Sequence, residues 1–264
     1  MQGAILESSE FAYLLATLHA PQVVGVDAPE LFPVEPGERE TLFEKGGQLL
    51  KDHGWLQALP QPGQFFLNDT LLYLAAVVAD PKFVVFTIRT QPDGSSRVLL
   101  HYLAEPDMVE LSVSADQKYT LVLVPDRATL LARIQAMLDL PSTAQHNDVR
   151  FMIEEPAFET IQDLAEDGQA EQATALLKQL GVNGNTGESL VKALQTPEAN
   201  SLVVVVRPWH GQIEAGRKAS LFRNLDVVWL AKRVDAKSNT FSVETVQADT
   251  LPNVLNAYLE FLAK

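Results

Sequence analysis

The sequence predicts an α+β fold in which helices flank a central sheet and one helix-and-strand unit is used twice. An apolar helix at residues 71–78 stops at Asp80-Pro81, and an unbroken apolar strand at 82–89 follows without a loop. The same succession returns where the helix at 190–194 stops near Thr196-Pro197 and runs into a strand at 201–206. Finally, Leu49-Leu50-Lys51 followed by Gly54 matches Leu176-Leu177-Lys178 followed by Gly181. Continuous apolar runs suit strands covered on both faces or central in a sheet. Each helix stops ahead of a proline, which disfavours helical geometry in the residue before it. The expected division is a first α+β half at 1–141, a polar joint at 142–150 and a second, duplicated half at 151–264. One half alone would expose a strand edge that its twin can cover, so the two are expected to form one compact, quasi-twofold body.

Taken in order, the apolar run at 11–18 is compatible with helix or strand; Pro21 and then Val23-Val24-Gly25-Val26 favour strand. Residues 28–36 hold three prolines and read as a loop. From Gly37 to Asp52, the positions of Leu42, Leu49 and Leu50, with Phe43 beside them, suit an amphipathic helix. Glu38, Glu40 and Glu44 lie towards its N-terminal end, where the helix dipole favours them, and Gly54 is its natural stop. Residues 57–64 read as a Pro/Gly loop, and Asn68 or Asp69 caps the next helix. Strands are expected at 97–104, 108–113 and 119–124. Asp126 then caps a helix whose stripe is Leu130, Leu131, Ile134, Met137 and Leu138. The second half opens on a short helix with Phe158, Ile161 and Leu164, then a helix at 170–180 ending at Gly181. Strands are expected at 202–207, 220–225, 227–234 and 241–247. Asp249 or Thr250 caps a last helix with Val254, Leu255, Tyr258, Phe261 and Leu262.

Composition narrows the function. At 264 residues the chain is long enough to bury roughly three quarters of its unfolded surface. It contains no cysteine, which removes disulfides, thiolate metal sites and cysteine nucleophiles together and fits a reducing compartment. The N-terminal stretch lacks the basic start and long apolar core of a signal peptide, and the longest apolar run is too short to cross a bilayer. A cytoplasmic location is expected. A net charge of −14 opposes nucleic acid, which needs clustered Lys and Arg, and opposes anionic membrane surfaces for the same reason.

No catalytic, cofactor-binding or metal-binding constellation emerges, and no enzyme activity is expected. Gly184-Asn185-Thr186-Gly187-Glu188-Ser189 invites comparison with a phosphate loop, but Glu188 stands where the lysine must be and Val182 where the first glycine must be. It reads as a loop leading to a helix at 189–194. The five histidines are not spaced for metal, and no HExxH pattern or Gly-x-Ser-x-Gly elbow occurs. Glu154, Glu155 and Glu159 read as a solvated helix start. The order helix, helix, hairpin resembles a winged helix-turn-helix, yet residues 70–78 carry no Lys, Arg, Asn or Gln to read base edges. Trp209 near a hairpin tip, and Phe65 and Phe66 after a Pro/Gly loop, either fold back on the domain or anchor a partner.

Over nearly its whole length the chain resembles the EspG family, the cytosolic chaperones of type VII (ESX) secretion. The resemblance runs through residues 11–18 followed by Ala28-Pro29-Glu30-Leu31, through Leu49-Leu50-Lys51-Asp52-His53-Gly54, through Asp80-Pro81 before a strand, and through Ala248-Asp249-Thr250-Leu251 before the last helix. It implies a central, mostly antiparallel sheet with helical bundles beside it. It also implies a chaperone or adaptor that covers the apolar tip of a helical secretion substrate, of the PE–PPE or WXG100-like kind. The family's contact loop between its second and third strands matches Thr90, Gln91, Pro92, Asp93, Gly94, Ser95 and Ser96, a hairpin shorter than the family's usual loop; Trp209 joins them as a candidate partner contact. The alternative is a structural or regulatory protein that self-associates into a homodimer through the same fold, with no secretion role.

Overall fold

The computed structural model describes residues 3–262 apart from 62, 92, 140–148, 196–199, 210–211, 225–226, 236–237 and 248. In chain order its elements are β1 (Gly3–Leu6), α1 (Ser8–Thr17), a 3-10 turn (Pro29–Leu31), α2 (Pro36–Asp52), β2 (Leu56–Ala58), β3 (Phe65–Leu67), α3 (Asp69–Ala79), β4 (Phe83–Thr90), β5 (Ser96–Ala104), β6 (Asp107–Val113), β7 (Tyr119–Leu123) and α4 (Arg127–Leu138). There follow β8 (Arg150–Glu154), α5 (Glu155–Glu166), α6 (Ala170–Gln179), α7 (Gly184–Leu194), β9 (Ser201–Trp209), β10 (Gln212–Asn224), β11 (Val227–Arg233), β12 (Thr240–Val246) and α8 (Leu251–Leu262).

The fold is α+β. Ten strands form one antiparallel sheet in the order β1-β7-β6-β5-β4-β9-β10-β11-β12-β8, and β2 and β3 pair as a separate hairpin. From either edge the order reads alike: a short opening strand, then four consecutive strands from the last to the first. By contacts the chain divides into two compact units. One comprises Met1–Val85, Leu99–Thr129 and Val206–Ala215; the other comprises Phe86–Val98, Leu130–Val205 and Gly216–Lys264.

In the first unit, α1 corrects the strand expected at 11–18. The Glu7 N–H donates to Glu10 Oε2 at 2.8 Å, one arm of a capping box that starts a helix here. Phe11, Ala12, Leu14 and Leu15 are all buried, at the spacing of one helical face. Pro21 lies beyond the helix end, where His19 at φ 56 has already turned the chain, so the proline follows a helix instead of preceding a strand. Residues 23–26, which follow the proline, form a loop. Helix α1 packs on α2 and α3, and α3 packs on β1, β6 and β7. Phe11 meets Tyr119 with ring centroids 4.8 Å apart, and the buried Tyr102 hydroxyl donates to Val24 O at 2.8 Å. Burial pushes the Tyr102 phenol above its ordinary range. Burial, with the Glu30 carboxylate beside it, pushes Tyr119 up to about 12. The sequence reading also omits β1, whose Ala4 and Leu6 face inward while Ile5 points out, 66% exposed. Four residues are too few to show a period.

In the second unit, α5, α6 and α7 pack on one another, with α5 also on β8 and β12 and α7 on β11. Their core gathers Phe158, Ile161, Leu177, Leu190, Leu194, Trp229 and Val243. The loop expected at 184–189 is instead the first half of α7. Asn183 Oδ1 accepts from the Thr186 N–H at 2.9 Å and starts the helix five residues early. Gly187 lies within that helix facing Leu177, with room there for a methyl group. Strand β8, which the sequence reading omits, pairs with β12 and takes in Arg150, the last residue of the expected joint. Residues 142–148 of that joint lie outside the described residues.

Candidate partner-binding site

The candidate hairpin joins β4 to β5 and is held by its own polar groups. The Gln91 N–H donates to Ser95 O at 2.7 Å and the Gly94 N–H to Gln91 O at 2.9 Å. Asp93 Oδ1 accepts from both the Ser95 N–H, at 2.9 Å, and the Ser95 hydroxyl, at 2.6 Å. Those hydrogen bonds, the hydroxyl's first, hold the Asp93 carboxyl below the ordinary carboxylate range. Gly94 closes the turn at φ +80, a conformation a Cβ would strain. At the base, the Thr90 N–H donates to Asn200 O at 3.1 Å. Thr90 and Gln91 are half-buried, and Asp93, Gly94, Ser95 and Ser96 are exposed. Pro92 lies outside the described residues. Trp209 ends β9, and its side chain is outside them too. The turn is therefore a polar cap closed by its own backbone and by Asp93, while the buried Gln91 Nε2 has no hydrogen-bond partner among the described residues. The large apolar side chain next to it is Val98 on β5, 45% exposed.

A second hairpin, β2–β3, encloses the loop expected at 57–64 and takes only Gln57 and Ala58 of it into a strand. Its register pairs Leu56 with Leu67, Gln57 with Phe66 and Ala58 with Phe65, and the Leu59 N–H donates to Gln64 O at 2.9 Å. Paired residues share a face and successive pairs alternate. Leu56 is buried and Leu67 half-buried, so their face turns inward; at its far end the Lys51 ammonium lies 4.6 Å from the Phe65 ring centroid. The opposite face carries Gln57, Leu59, Gln64 and Phe66, all exposed. The signal was present in the sequence, as two short runs flanking Pro60-Gln61-Pro62-Gly63, but three-residue strands fall below what alternation can reveal.

Each unit also holds a cavity. In the first, a cavity of about 570 Å³ lies between α1 and α2, lined by Ala12, Ala16, Leu31, Phe32, Leu42 and Phe43, within the size range of ligand sites. In the second, a space of about 240 Å³ is floored by Phe158 and Phe241 and rimmed by charges of both signs. Arg233 Nη2 donates to Glu155 Oε2 there at 2.7 Å. Among the described residues, no group of three or more His, Asp or Glu could hold a metal ion, and no helix is long and apolar enough to cross a membrane. Helix α3 buries Leu71, Leu74, Ala75, Val77 and Val78, and its exposed side carries Asp69 and Tyr73 with no basic side chain for DNA.

No family model and no curated protein matches the sequence. Among solved structures, the chain is similar to that of the type VII secretion system chaperone EspG5 of Mycobacterium tuberculosis, determined in complex with a PE25–PPE41 dimer. The two share 16% identity at a TM-score of 0.64, over 95% of this chain and 93% of the other. At that identity the likeness concerns the fold, and the fold of this chain is EspG-like.

Proposed function

We propose that the chain is a non-enzymatic chaperone that holds the apolar tip of a helical secretion protein in the cytoplasm until export. The likeness to EspG5, a chaperone seen with a PE25–PPE41 dimer, carries this reading because it spans nearly the whole of both chains. An acidic surface keeps the unloaded protein soluble. Apolar burial at roughly 25 cal/mol per Å² supplies affinity, and turn polar groups set register. The β4–β5 hairpin from Thr90 to Ser96, with Trp209, is the proposed contact. Its backbone bonds are internal, and the Gln91 Nε2, which has no hydrogen-bond partner among the described residues, is the donor it could offer. The same proposal treats residues 1–141 and 151–264 as two copies of one unit, which the identical strand order from both sheet edges supports.

The test is co-expression of the full chain with candidate PE–PPE protein pairs, followed by size-exclusion chromatography with light scattering. A stable complex that Trp209→Ser weakens supports the reading. A chain that forms its own dimer at every concentration and takes up none of those proteins overturns it and favours self-association.

A further inference from the structure

We propose that the cavity between α1 and α2 is a binding site for an alkyl carboxylate, with the alkyl chain against α1 and the carboxylate at Arg39. The proposal stands independently of the chaperone reading. The cavity, of about 570 Å³, lies wholly within the first unit, and its size is that of a small-molecule site.

The helix crossing explains why the space exists. At Gly46 and Gly47, α2 comes so close to α1 that a Cβ on Gly46 would strike Ser9 O and one on Gly47 would stand 3.0 Å from the Tyr13 ring. One turn earlier on α2, Phe43 stacks on Tyr13 with ring centroids 4.2 Å apart. On the cavity side the wall from α1 and the turn after it is Ala12, Ala16 and Ala20, opposite Leu42 and Phe43 with Phe32 alongside. Three methyl groups leave open a space that larger apolar side chains would close, whereas protein interiors are otherwise packed without such gaps. Ala16 and Phe43 are exposed, so the cavity has an entry from solvent.

The lining selects the ligand. Its side chains are apolar except Arg39 and Glu40. The body of the ligand therefore carries no hydrogen-bonding group, because such a group would lose water without gaining a partner. Arg39 fixes the head. Its Nε donates to Pro33 O at 2.5 Å, which ties the guanidinium across the mouth between α2 and the segment after the 3-10 turn. The terminal nitrogens of a guanidinium form a fork that takes a carboxylate with two parallel bonds. Glu40 also lines the mouth, but it is exposed, and adjacent residues on a helix do not face each other. Its carboxylate stays hydrated while the ligand's meets Arg39. An alkyl chain ending in a carboxylate, as in a medium-chain fatty acid, meets both conditions.

The experiment titrates the delipidated full chain calorimetrically with decanoate, with decanol and with decyltrimethylammonium. Decanoate is expected to bind at one per chain, roughly tenfold tighter than either of the others. Ala16→Leu fills the cavity and is expected to weaken decanoate roughly tenfold or more while melting no lower than the wild type. If it does melt lower, Ala20→Leu, at the other end of the same wall, takes its place. Arg39→Gln is expected to bring decanoate down to the affinity of decanol. Absence of saturable decanoate binding overturns the proposal, and so does undiminished binding by the folded cavity-filling variant. Decanol or decyltrimethylammonium binding as tightly as decanoate, or a carboxylate preference that survives Arg39→Gln, overturns it as well.

Discussion

Helices α1 and α2 in the first unit and α6 and α7 in the second are neighbouring pairs that meet in different ways. At the α1–α2 crossing, Gly46 lies so close to α1 that a Cβ there would stand 2.0 Å from Ser9 O, and Gly47 lies beneath the Tyr13 ring. At the α6–α7 crossing, a Cβ on Gly187 would meet Leu177 at 3.5 Å, an ordinary contact. The first pair is joined backbone to backbone and the second through side chains. The cores differ as well: two buried tyrosines, Tyr102 and Tyr119, brace the first unit, while Trp229 centres the second. Helix spacing in each unit thus depends on single residues at the crossing, a glycine against backbone in one and a leucine side chain in the other.

Gly46→Ala tests this most severely. The backbone oxygen it meets cannot rotate away, so α1 must move, and we expect a loss of about 3 kcal/mol or more in urea unfolding. A smaller effect separates the units by pH. Burial holds Tyr119 up at about 12, above the ordinary tyrosine value of 10.0, so its contribution is complete below pH 10 and is lost as pH rises from 10 towards 12. Tyr102 acts in the same direction. The urea midpoint is expected to fall over that window in the wild type and to fall less in Tyr119→Phe.

The two helix starts should behave alike where the crossings do not. Asn68 Oδ1 accepts from the Leu71 N–H at 3.1 Å and Asn183 Oδ1 from the Thr186 N–H at 2.9 Å. Asn68→Ala and Asn183→Ala are each expected to cost about 1 kcal/mol; a large difference between them would show that one cap carries tertiary strain. Gly187→Ala should have the smallest effect and the opposite sign. With room for a methyl and a better helix former, it is expected to gain roughly 0.5–1 kcal/mol in the same assay.

Much of the first unit was legible because its signals are local. Asn68, the apolar run after it and Pro81 together define α3 at both ends, and Gly54 at φ +74 ends α2 as a glycine should. The turn at 91–95 was equally readable, since Asp93, Gly94 and Ser95 build it from their own atoms. The candidate site beyond that turn was not. Phe65 and Phe66 stood out as loop aromatics, and both are exposed, but that they fall on opposite faces of a hairpin depends on the pairing with residues 56–58.

The sequence by itself determined the fold class, the long helices, the eight strands of the two four-strand runs and the acidic, cysteine-free character of the chain. Each of these rests on periodicity or chemistry within a few turns of chain. Only the tertiary structure decided that residues 8–17 are helical, that Gly3–Leu6 and Arg150–Glu154 close the sheet at its two edges, and that Gln57, Leu59, Gln64 and Phe66 share one exposed face. Short segments lack enough local free energy to choose a conformation. For β1, β8 and the β2–β3 hairpin the hydrogen-bond partners lie on other strands, and for α1 it is the burial of Phe11, Leu14 and Leu15 that makes the choice.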